Sequence, residues 1–489
     1  MKIFFLVIFS FVLVLELSSK TIKVGISGEF ARLSGAAEVA LPADTILIMD
    51  DFSERLEYIE DLHGEENNWI VIRSGKAENA VYDGGSQAIH FVNASYLKIE
   101  NLTFMNQVIN GVNIDDGGDY STPSHHIVFE NCEWRDMQNS GNNDLLKMSG
   151  VDDFNIINCH FENGSQRGSM IDMVGCHDGV IESSHFINGG SNSIQAKGGS
   201  ENIIIRRNYF ENGGYRAINI GGSTGEPYFR PLDANFESAR ISVHSNIFAG
   251  SQAPLAFVGT VESKVFNNTI FEPEKWVFRI LQENTNPGIL TCSNNQFFNN
   301  IVYIDNMAAS PSVNIGPKTD PESFFFGNNL WYNYENENWH GPNLPSQEEN
   351  AILNHDPLFA DVLNNNYELQ SESPAIGKGK RLNHLVLDYN EIPFSDPPSI
   401  GAYEWIDPSG IFEEDITVIL YPNPGSKVIY LQMPKLAEKI EITDIFGITR
   451  KVVSSATRSV NVEELPPGIY FPNITLNGQT IIRKFMKVE

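Results

Sequence analysis

The chain has 489 residues, enough for a large core and a small additional domain. Its 33 Lys and Arg residues stand against 62 Asp and Glu residues, so the formal net charge at pH 7 is -29. This balance excludes a general affinity for nucleic acid, because the phosphate backbone demands a basic protein face. An acidic polymer could bind only through a local basic groove.

The N-terminus has the pattern of a secretory signal peptide, which we place at residues 1–20. Lys2 precedes a largely apolar run at residues 3–15, and a polar run at residues 18–20 follows it. The apolar run is too short for a comfortable membrane span. No other stretch of the sequence predicts a transmembrane segment. We therefore expect a protein that is secreted or lies on the outer cell surface.

A short motif of mostly polar residues that ends in an apolar residue recurs along the chain. The closing residue returns every 22 to 38 residues, too short for a globular domain and right for one turn of a stacked solenoid. Each period holds short β-rich runs separated by Gly or polar turns, without helical periodicity. The closing residues are Phe104, Trp134, Phe161, Phe186, Phe210, Phe248, Ile270 and Phe297.

These observations predict an all-β fold, a right-handed parallel β-helix. Three extended segments per turn would stack coil on coil into parallel sheets around a continuous apolar interior. The closing residues would form one internal stack. The residues two positions earlier would form a second column that includes a structural asparagine ladder. That column contains Leu102, Cys132, Cys159, Ser184, Asn208, Asn246, Asn268 and Asn295.

The four cysteines lack the spacing of metal ligands. Cys132 and Cys159 occupy the same column one coil apart, and stacked strands lie about 4.8 Å apart, within reach of a disulfide. The pair is therefore either a disulfide or two stacked, buried thiols. Neither alternative provides a catalytic cysteine.

Residues 21–406 form the predicted β-helix domain with its two end caps. Residues 21 to about 90 resemble the entry of secreted β-helix proteins, and the repeat then continues to about residue 335. Short phrases at residues 355–359, 373–377 and 400–404 resemble the segment that closes many bacterial β-helices. Caps are expected because uncovered strands would pair with other chains.

Residues 413–489 predict a small β-sandwich, because short alternating runs are separated by Gly and Pro. Specific phrases occur at residues 421–424, 444–447 and 465–470, and a basic and apolar phrase ends the chain. They resemble the C-terminal sorting domain of the type IX secretion system. The resemblance implies the type IX secretion machinery as a partner and export across an outer membrane. An immunoglobulin-like adhesion module is the alternative.

Candidate site residues lie on successive strands that can be aligned on a terminal glycine. The middle column of these strands is apolar and should face inward. Alternation then turns Lys147, Asp172, Gln195 and Asn219 outward in one row, with Lys197 in the adjacent row. The longest repeat leaves room for a loop over this face, and the loop carries Tyr228 and Arg230. Such convergent polar groups suit a glycan groove.

The segment around Lys197 resembles the parallel β-helix polysaccharide lyases, above all the family of chondroitinase B and alginate lyases. In that family a lysine followed by Glu-Asn, and then by a strand ending in Asn, is the Brønsted base. Lys197, followed by Glu201, Asn202 and Asn208, occupies that position. The resemblance implies β-elimination on a uronate-containing glycan. A cation neutralises the uronate carboxylate, and a neutral lysine then removes the C5 proton.

The pattern departs from this family at three positions. The family's arginine falls at Gly221, and its acidic calcium ligands fall at Gly190 and Asn192. Arg216 or Arg230 could supply the missing charge and favour a neutral lysine. The catalytic candidates are therefore Lys197, Arg216 and Arg230. The candidates for substrate binding are Lys147, Asp172, Gln195, Asn219 and Tyr228.

The alternative function is a noncatalytic glycan-binding or structural, adhesin-like surface protein. The same fold carries lyases, hydrolases, epimerases and adhesins, so it does not decide the activity. Calcium is the metal that the sequence suggests, because Asp115, Asp116 and Asp119 offer oxygen ligands, although solvated acidic turns look the same. We expect a monomer that takes an anionic polysaccharide.

Overall fold

The computed structural model describes residues 19–137, 141–407, 418–433, 436–453, 457–476 and 479–488. Most of the predicted signal peptide, residues 1–18, lies outside the described residues. From residue 21 to residue 353 the chain winds into coils, and its strands build three long parallel sheets. The predicted parallel β-helix is confirmed. Its boundaries at residues 21 and 406 stay a prediction.

Sheet 1 has ten strands and carries the candidate site on its outer face. Neighbouring strands pair in parallel, coil upon coil, and their inward positions are apolar and buried. In spatial order the strands are Glu57–Glu60, Ile89–Val92, Val112–Asp115, Leu146–Ser149, Ser169–Val174, Asn192–Lys197, Arg216–Gly221, Leu255–Val258, Phe278–Leu281 and Val313–Ile315.

Sheets 2 and 3 complete each coil with twelve strands each. Sheet 2 contains Thr21–Val24, Thr45–Ile48, Ile70–Ser74, Ser95–Glu100, Ser124–Glu130, Val151–Ile157, Val180–Glu182, Ile204–Arg206, Ser242–His244, Lys264–Phe266, Gln296–Phe298 and Phe325–Gly327. Sheet 3 contains Phe52–Ser53, Ala80–Asp83, Leu102–Met105, Glu133–Arg135, His160–Glu162, His185–Ile187, Tyr209–Glu211, Ile247–Ala249, Thr269–Phe271, Ile301–Ile304, Leu330–Asn333 and Ile352–Leu353.

Shorter elements fill the corners and the ends. The strands Ser200–Glu201, Ser238–Ala239 and Thr260–Val261 form a small parallel sheet, and Phe359–Asp361 pairs with Asn366–Leu369. The described residues include one α-helix, Leu33–Ala37, and three 3-10 turns at Glu226–Tyr228, Pro321–Ser323 and Val362–Asn364. Among these residues, no helix has the length and apolar character needed to cross a bilayer.

The internal stack forms as predicted over most of its length. Trp134, Phe161, Phe186 and Phe210 are fully buried, and consecutive rings lie 4.7 to 4.9 Å apart. The assignment of Phe297 was wrong. Phe297 pairs with Val265 in sheet 2, because its phrase begins a sheet 2 strand. The next members of the sheet 3 stack after Ile270 are Val302 and Trp331.

The asparagine ladder is longer than predicted and takes different members at its end. Each side-chain amide donates to the next Oδ1 at 3.0 to 3.1 Å, and all members are buried. Asn295, which was expected in this ladder, donates instead to the carbonyl of Thr260. The ladder consists of Asn208, Asn246, Asn268, Asn300 and Asn329.

All four cysteines are buried, free thiols. Cys132 and Cys159 lie one coil apart, where the N–H of His160 donates to the carbonyl of Cys132 at 2.9 Å. Burial raises the pKa of the Cys132 thiol to about 12. The sequence left open whether Cys132 and Cys159 form a disulfide or two stacked thiols. The structure contains the two stacked thiols.

The closing segment returns along the outside of the β-helix. Ser245 Oγ donates to the carbonyl of Leu387 at 2.7 Å, and Asn267 Nδ2 donates to that of Ser399 at 2.9 Å. Aromatic residues of sheet 3, such as Phe271 and Tyr303, pack against the buried cluster of this segment. The cap thus covers the later coils of sheet 3 and leaves the outer face of sheet 1 to other loops.

The C-terminal domain consists of two antiparallel sheets around its own apolar core. This arrangement agrees with the predicted small β-sandwich. The first sheet contains Ile419–Tyr421, Val428–Gln432 and Ser459–Asn461, and the second contains Lys439–Asp444, Thr449–Val453, Gly468–Leu476, Gln479–Ile482 and Phe485–Lys487.

Candidate functional site

A straight row of polar side chains lies on the outer face of sheet 1, at the middle positions of its strands. The parallel register sets Lys147, Asp172, Gln195 and Asn219 side by side on four successive strands. Lys197 lies on the same face, two residues beyond Gln195 and at the end of its strand. Every coil repeats the same alternation, so residues remote in sequence meet in one row.

Two lysines of this face share one buried carboxylate. Asp172 Oδ2 lies 2.7 Å from Lys147 Nζ, and Asp172 Oδ1 lies 2.9 Å from Lys197 Nζ. Only 2% of Asp172 is exposed. Burial by itself would raise the pKa of Asp172, but the charges of Lys197 and Lys147 outweigh it and lower this pKa. Asp172 is therefore ionised and holds both ammonium groups.

Asp144 is a second carboxyl group in this network. Its Oδ2 lies 3.2 Å from Lys147 Nζ, and its Oδ1 accepts the N–H of Ser169 at 2.8 Å. Burial and the charge of Asp172 raise the pKa of Asp144 to about 6. Burial alone would lower the pKa of Lys147, but the charges of Asp172 and Asp144 outweigh burial and raise this pKa. Sequence reasoning missed Asp144, because it precedes the strand Leu146–Ser149 and lies outside the aligned phrase.

Arg216 reaches the row from the opposite end of the next strand. Its Nη1 donates to Asn219 Oδ1 at 3.0 Å, and its Nη2 lies 2.6 Å from Glu283 Oε1. On the neighbouring strand, Lys197 Nζ donates to Gln195 Oε1 at 3.2 Å. Because Gln195 and Asn219 are paired in register, Lys197 and Arg216 belong to one continuous polar surface.

Gly221 takes the place where the family resemblance expects an arginine. Its φ is +104°, a backbone conformation that side chains with a Cβ rarely adopt. A Cβ there would lie 1.9 Å from the carbonyl oxygen of Val258 on the next coil. The local backbone therefore cannot accommodate an arginine. Any positive charge at this point of the face must come from another position.

Arg230 anchors the loop that follows the strand Arg216–Gly221. Its Nη2 donates to Asp116 Oδ1 at 3.0 Å, its Nε donates to Asp116 Oδ2, and its guanidinium lies 4.0 Å from the centre of the Tyr120 ring. Burial alone would lower the pKa of Arg230, but the hydrogen bond to Asp116 and the charge of Asp116 raise it. Arg230 was expected to supply charge beside Lys197. In the structure, the Arg230 guanidinium instead binds Asp116 on an earlier coil.

Tyr228 lies at the outer side of the same loop and is 61% exposed. Its carbonyl accepts a hydrogen bond from Arg230 Nη1 at 3.1 Å. The neighbouring carbonyl of Pro227 accepts one from the Tyr120 hydroxyl at 2.7 Å. The loop therefore forms a wall beside the ends of the sheet 1 strands, with the Tyr228 ring open to solvent.

Glu237 is a fully buried carboxylate that joins this wall to the candidate base. It accepts the N–H of Gly198 at 3.1 Å, the N–H and hydroxyl of Thr224 at 2.8 Å each, and Asn284 Nδ2 at 2.6 Å. Gly198 follows Lys197 in sequence, and Asn284 follows Glu283, the partner of Arg216. Glu237 thus fixes the backbone beside both charged groups. No sequence pattern pointed to it, because its partners come from three separate segments.

The acidic turn at residues 115–119 is bonded to protein groups. Asp115 Oδ2 lies 2.7 Å from His90 Nε2, Asp116 binds Arg230, and Asp119 accepts the Ser121 hydroxyl at 2.6 Å. Within the described ranges, no group of three or more His, Cys, Asp or Glu side chains is arranged to hold a metal ion.

These features define a parallel β-helix protein with a polar row on one sheet. Residues 87–270 match the family model of a right-handed beta helix region, and residues 419–488 match that of a secretion system C-terminal sorting domain. The protein is therefore a right-handed parallel β-helix protein with a type IX C-terminal sorting domain. That domain directs secretion and attachment at the cell surface.

Several solved structures are similar to this chain at low sequence identity. An alginate lyase from Paenibacillus sp. str. FPU-7 is 18% identical with a TM-score of 0.41, over 69% of this chain and 99% of that chain. A mannuronic acid specific polysaccharide family 6 lyase from human gut microbiota is 13% identical with a TM-score of 0.42, over 69% and 92%. XylC in complex with xylose is 10% identical with a TM-score of 0.48, over 79% and 98%. No curated protein matches the chain.

Proposed function

We propose that this protein binds an anionic polysaccharide along the outer face of sheet 1 and cleaves it by β-elimination. The observation that carries the proposal is the concentration of Lys147, Lys197 and Arg216 on one face of a chain whose net charge is -29. A rigid sheet holds these groups in fixed order. A polymer with carboxylates along its length would compete with Asp172 and Glu283 for these three cations.

Lys197 is the proposed base. Its neutral amine would take the C5 proton of a uronate, and the C5–H electron pair would form the C4=C5 double bond as the C4–O4 bond breaks. The ammonium formed at Lys197 would return the proton to O4, so the reaction consumes no water. Arg216 would neutralise the uronate carboxylate and make the C5 proton acidic.

Gln195, which is partly exposed and accepts a hydrogen bond from Lys197, would orient the sugar between these two charged groups. Asn219 is only 1% exposed, so it would act by holding Arg216 in place and not by touching the sugar. Tyr228 would offer an aromatic surface at the wall. Lys147 would attract a carboxylate on a neighbouring sugar, since it lies two strands from Lys197.

The second candidate is a noncatalytic glycan-binding protein, and one observation favours it. Asp172 Oδ1 lies 2.9 Å from Lys197 Nζ, so the nitrogen that a base would present to the substrate is already bonded to a buried carboxylate. In this function the same row binds the polymer without removing a proton. Lys147, Lys197 and Arg216 would then act only as cations.

The test is the ultraviolet absorbance of the unsaturated uronate that elimination creates. The chain without residues 1–20, the predicted signal peptide, is incubated with alginate, chondroitin and pectate, each with and without calcium. Lys197→Ala is the test variant, and Lys264→Ala, which removes an exposed lysine from sheet 2, is its matched control. We expect absorbance from the native protein and from Lys264→Ala, and none from Lys197→Ala.

Binding of the same polymers, measured by affinity electrophoresis, separates the two candidates. A native protein that binds without producing absorbance would contradict the lyase and support the noncatalytic function. Equal product from the native protein and Lys197→Ala would show a lyase that uses another base.

A further inference from the structure

We infer a second anion-binding subsite on sheet 1, formed by Arg279 and Trp276, that takes a carboxylate of the same polyuronate chain at a sugar remote from the cleaved bond. The inference rests on the proposed function, since it concerns the ligand of the same face. It adds a requirement of its own: the polymer must carry negative charge on several sugars.

Arg279 continues the middle row beyond Asn219. The register runs from Asn219 to Ala256 and then to Arg279 and Asn314 on successive strands. Arg279 Nε donates to Asn314 Oδ1 at 2.9 Å, which fixes the plane of its guanidinium. The residue between Asn219 and Arg279 in this row is Ala256, which is buried in a small apolar cluster with Val258 and Leu281.

Trp276 adds an aromatic surface beside this arginine. The Arg279 guanidinium lies 4.7 Å from the centre of the Trp276 ring, and Lys275 Nζ lies 4.1 Å from it. Trp276 is partly exposed. A tryptophan ring flanked by cations is suited to a sugar, because the ring packs on the C–H face while the cations meet the carboxylate.

Positive charge exceeds negative charge at this end of the row. Glu283 is paired with Arg216 at 2.6 Å, and no described carboxylate lies within ion-pair distance of Arg279. Burial lowers the pKa of Arg279, and the charge of Arg216 lowers it further, while Glu283 acts in the opposite direction. Glu283 therefore pairs with Arg216, and Arg279 has no ion-pair partner among the described residues. An incoming anion would relieve the repulsion between the two arginines.

The distance between this subsite and Lys197 decides the kind of ligand. The strands of Lys197 and Arg279 are three steps apart in sheet 1. At about 4.8 Å per step the separation along the sheet is roughly 14 Å, more than the length of one sugar. A carboxylate at Arg279 must therefore belong to a different sugar from the one that meets Lys197, so a single uronate cannot fill both places.

The test compares uronate oligosaccharides of two lengths, a trimer and a hexamer from alginate and from pectate. Binding is measured by calorimetry at several salt concentrations in the Lys197→Gln background, so that no chain is cleaved. Arg279→Ala is the test variant and Arg279→Lys is the conservative one. Arg381→Ala is the matched control, because it removes an exposed arginine from the closing segment.

We expect Arg279→Ala to weaken hexamer binding about tenfold, the size of one charge-assisted contact, and to change trimer binding at most twofold. The salt dependence of hexamer binding should become shallower, because one ion contact is lost. Arg279→Lys should recover part of the affinity, and Arg381→Ala should match the parent protein.

An equal loss for trimer and hexamer, or no loss for either, would overturn the subsite. So would the absence of binding to every polyuronate. The first two results would leave the proposed function standing, whereas the absence of binding would contradict both proposals. Failure of the lyase proposal alone would appear as length-dependent binding by the native protein without unsaturated product.

Discussion

Lys197 and Asp172 form an ion pair of 2.9 Å between neighbouring coils of sheet 1. The carboxylate also binds Lys147, so one buried acid controls two cations of the candidate site. This pairing explains how two lysines are held close to a fully buried group without an uncompensated charge. The position of Lys197 Nζ therefore depends on Asp172.

The first prediction concerns Asp172→Asn. Loss of the carboxylate removes the group that holds Lys147 and Lys197 in place, so the lyase rate should fall about tenfold or more. Removal of one partner from this buried network should also lower the free energy of unfolding by about 3 kcal/mol. Steady-state kinetics and urea unfolding measure the two effects. Asp178→Asn, at an exposed turn, is the control, and an unchanged rate would argue against the role of this pair.

The second prediction concerns the pH dependence of Asp144. Its pKa is raised from 3.8 in the unfolded chain to about 6 in the folded protein, so the folded state favours the protonated carboxyl. Its contribution to stability is therefore present at low pH and is lost as pH rises from about 4 to about 6. Asp144→Asn should gain roughly 2 to 3 kcal/mol relative to the native protein across this range. Urea unfolding at several pH values tests the trend, and a constant difference would refute it.

The third prediction concerns Glu237→Gln. The substituted amide would turn its own N–H groups toward donors such as the N–H groups of Gly198 and Thr224, so at least one hydrogen bond would be lost. The free energy of unfolding should fall by about 1 to 3 kcal/mol. Amide hydrogen exchange should quicken at Gly198 and Thr224. Glu322→Gln, at an exposed position, should leave both measurements unchanged.

The fourth prediction concerns His177, which joins the loop wall to the coils. Its Nδ1 lies 2.7 Å from Asp152 Oδ1, and its Nε2 lies 3.2 Å from the carbonyls of Gly199 and Arg230. Burial opposes protonation, but these acceptors raise the pKa of His177 above 6.5. The stabilisation is fully present below the unfolded pKa and is lost as pH rises through the folded one.

His177→Gln should therefore be less stable than the native protein by about 1 kcal/mol at low pH, and the difference should shrink as pH rises. Urea unfolding from about pH 5 to about pH 9 covers the titration of a histidine. His340→Gln, at an exposed position, serves as control. A gap that widens with pH would contradict the assignment.

Much of the fold follows from local pattern. The repeated apolar residue predicts the coil, since one residue per turn must enter the shared core, and alternation predicts which side chains of a strand face outward. This reasoning placed Lys147, Asp172, Gln195 and Asn219 in one row, which the register of sheet 1 reproduces. It failed at Phe297, because a similar phrase occurs at the start of a sheet 2 strand.

The partners of the charged groups were decided only by the tertiary structure. Asp116 binds Arg230 from a loop four coils away, Glu283 binds Arg216, and Glu237 joins three segments. Loops of unequal length bring these residues together, and their conformations depend on the coils beneath them. Periodicity along the chain therefore determines the scaffold and the direction of its side chains. The charge balance at each point of the face depends on contacts between loops that have no period.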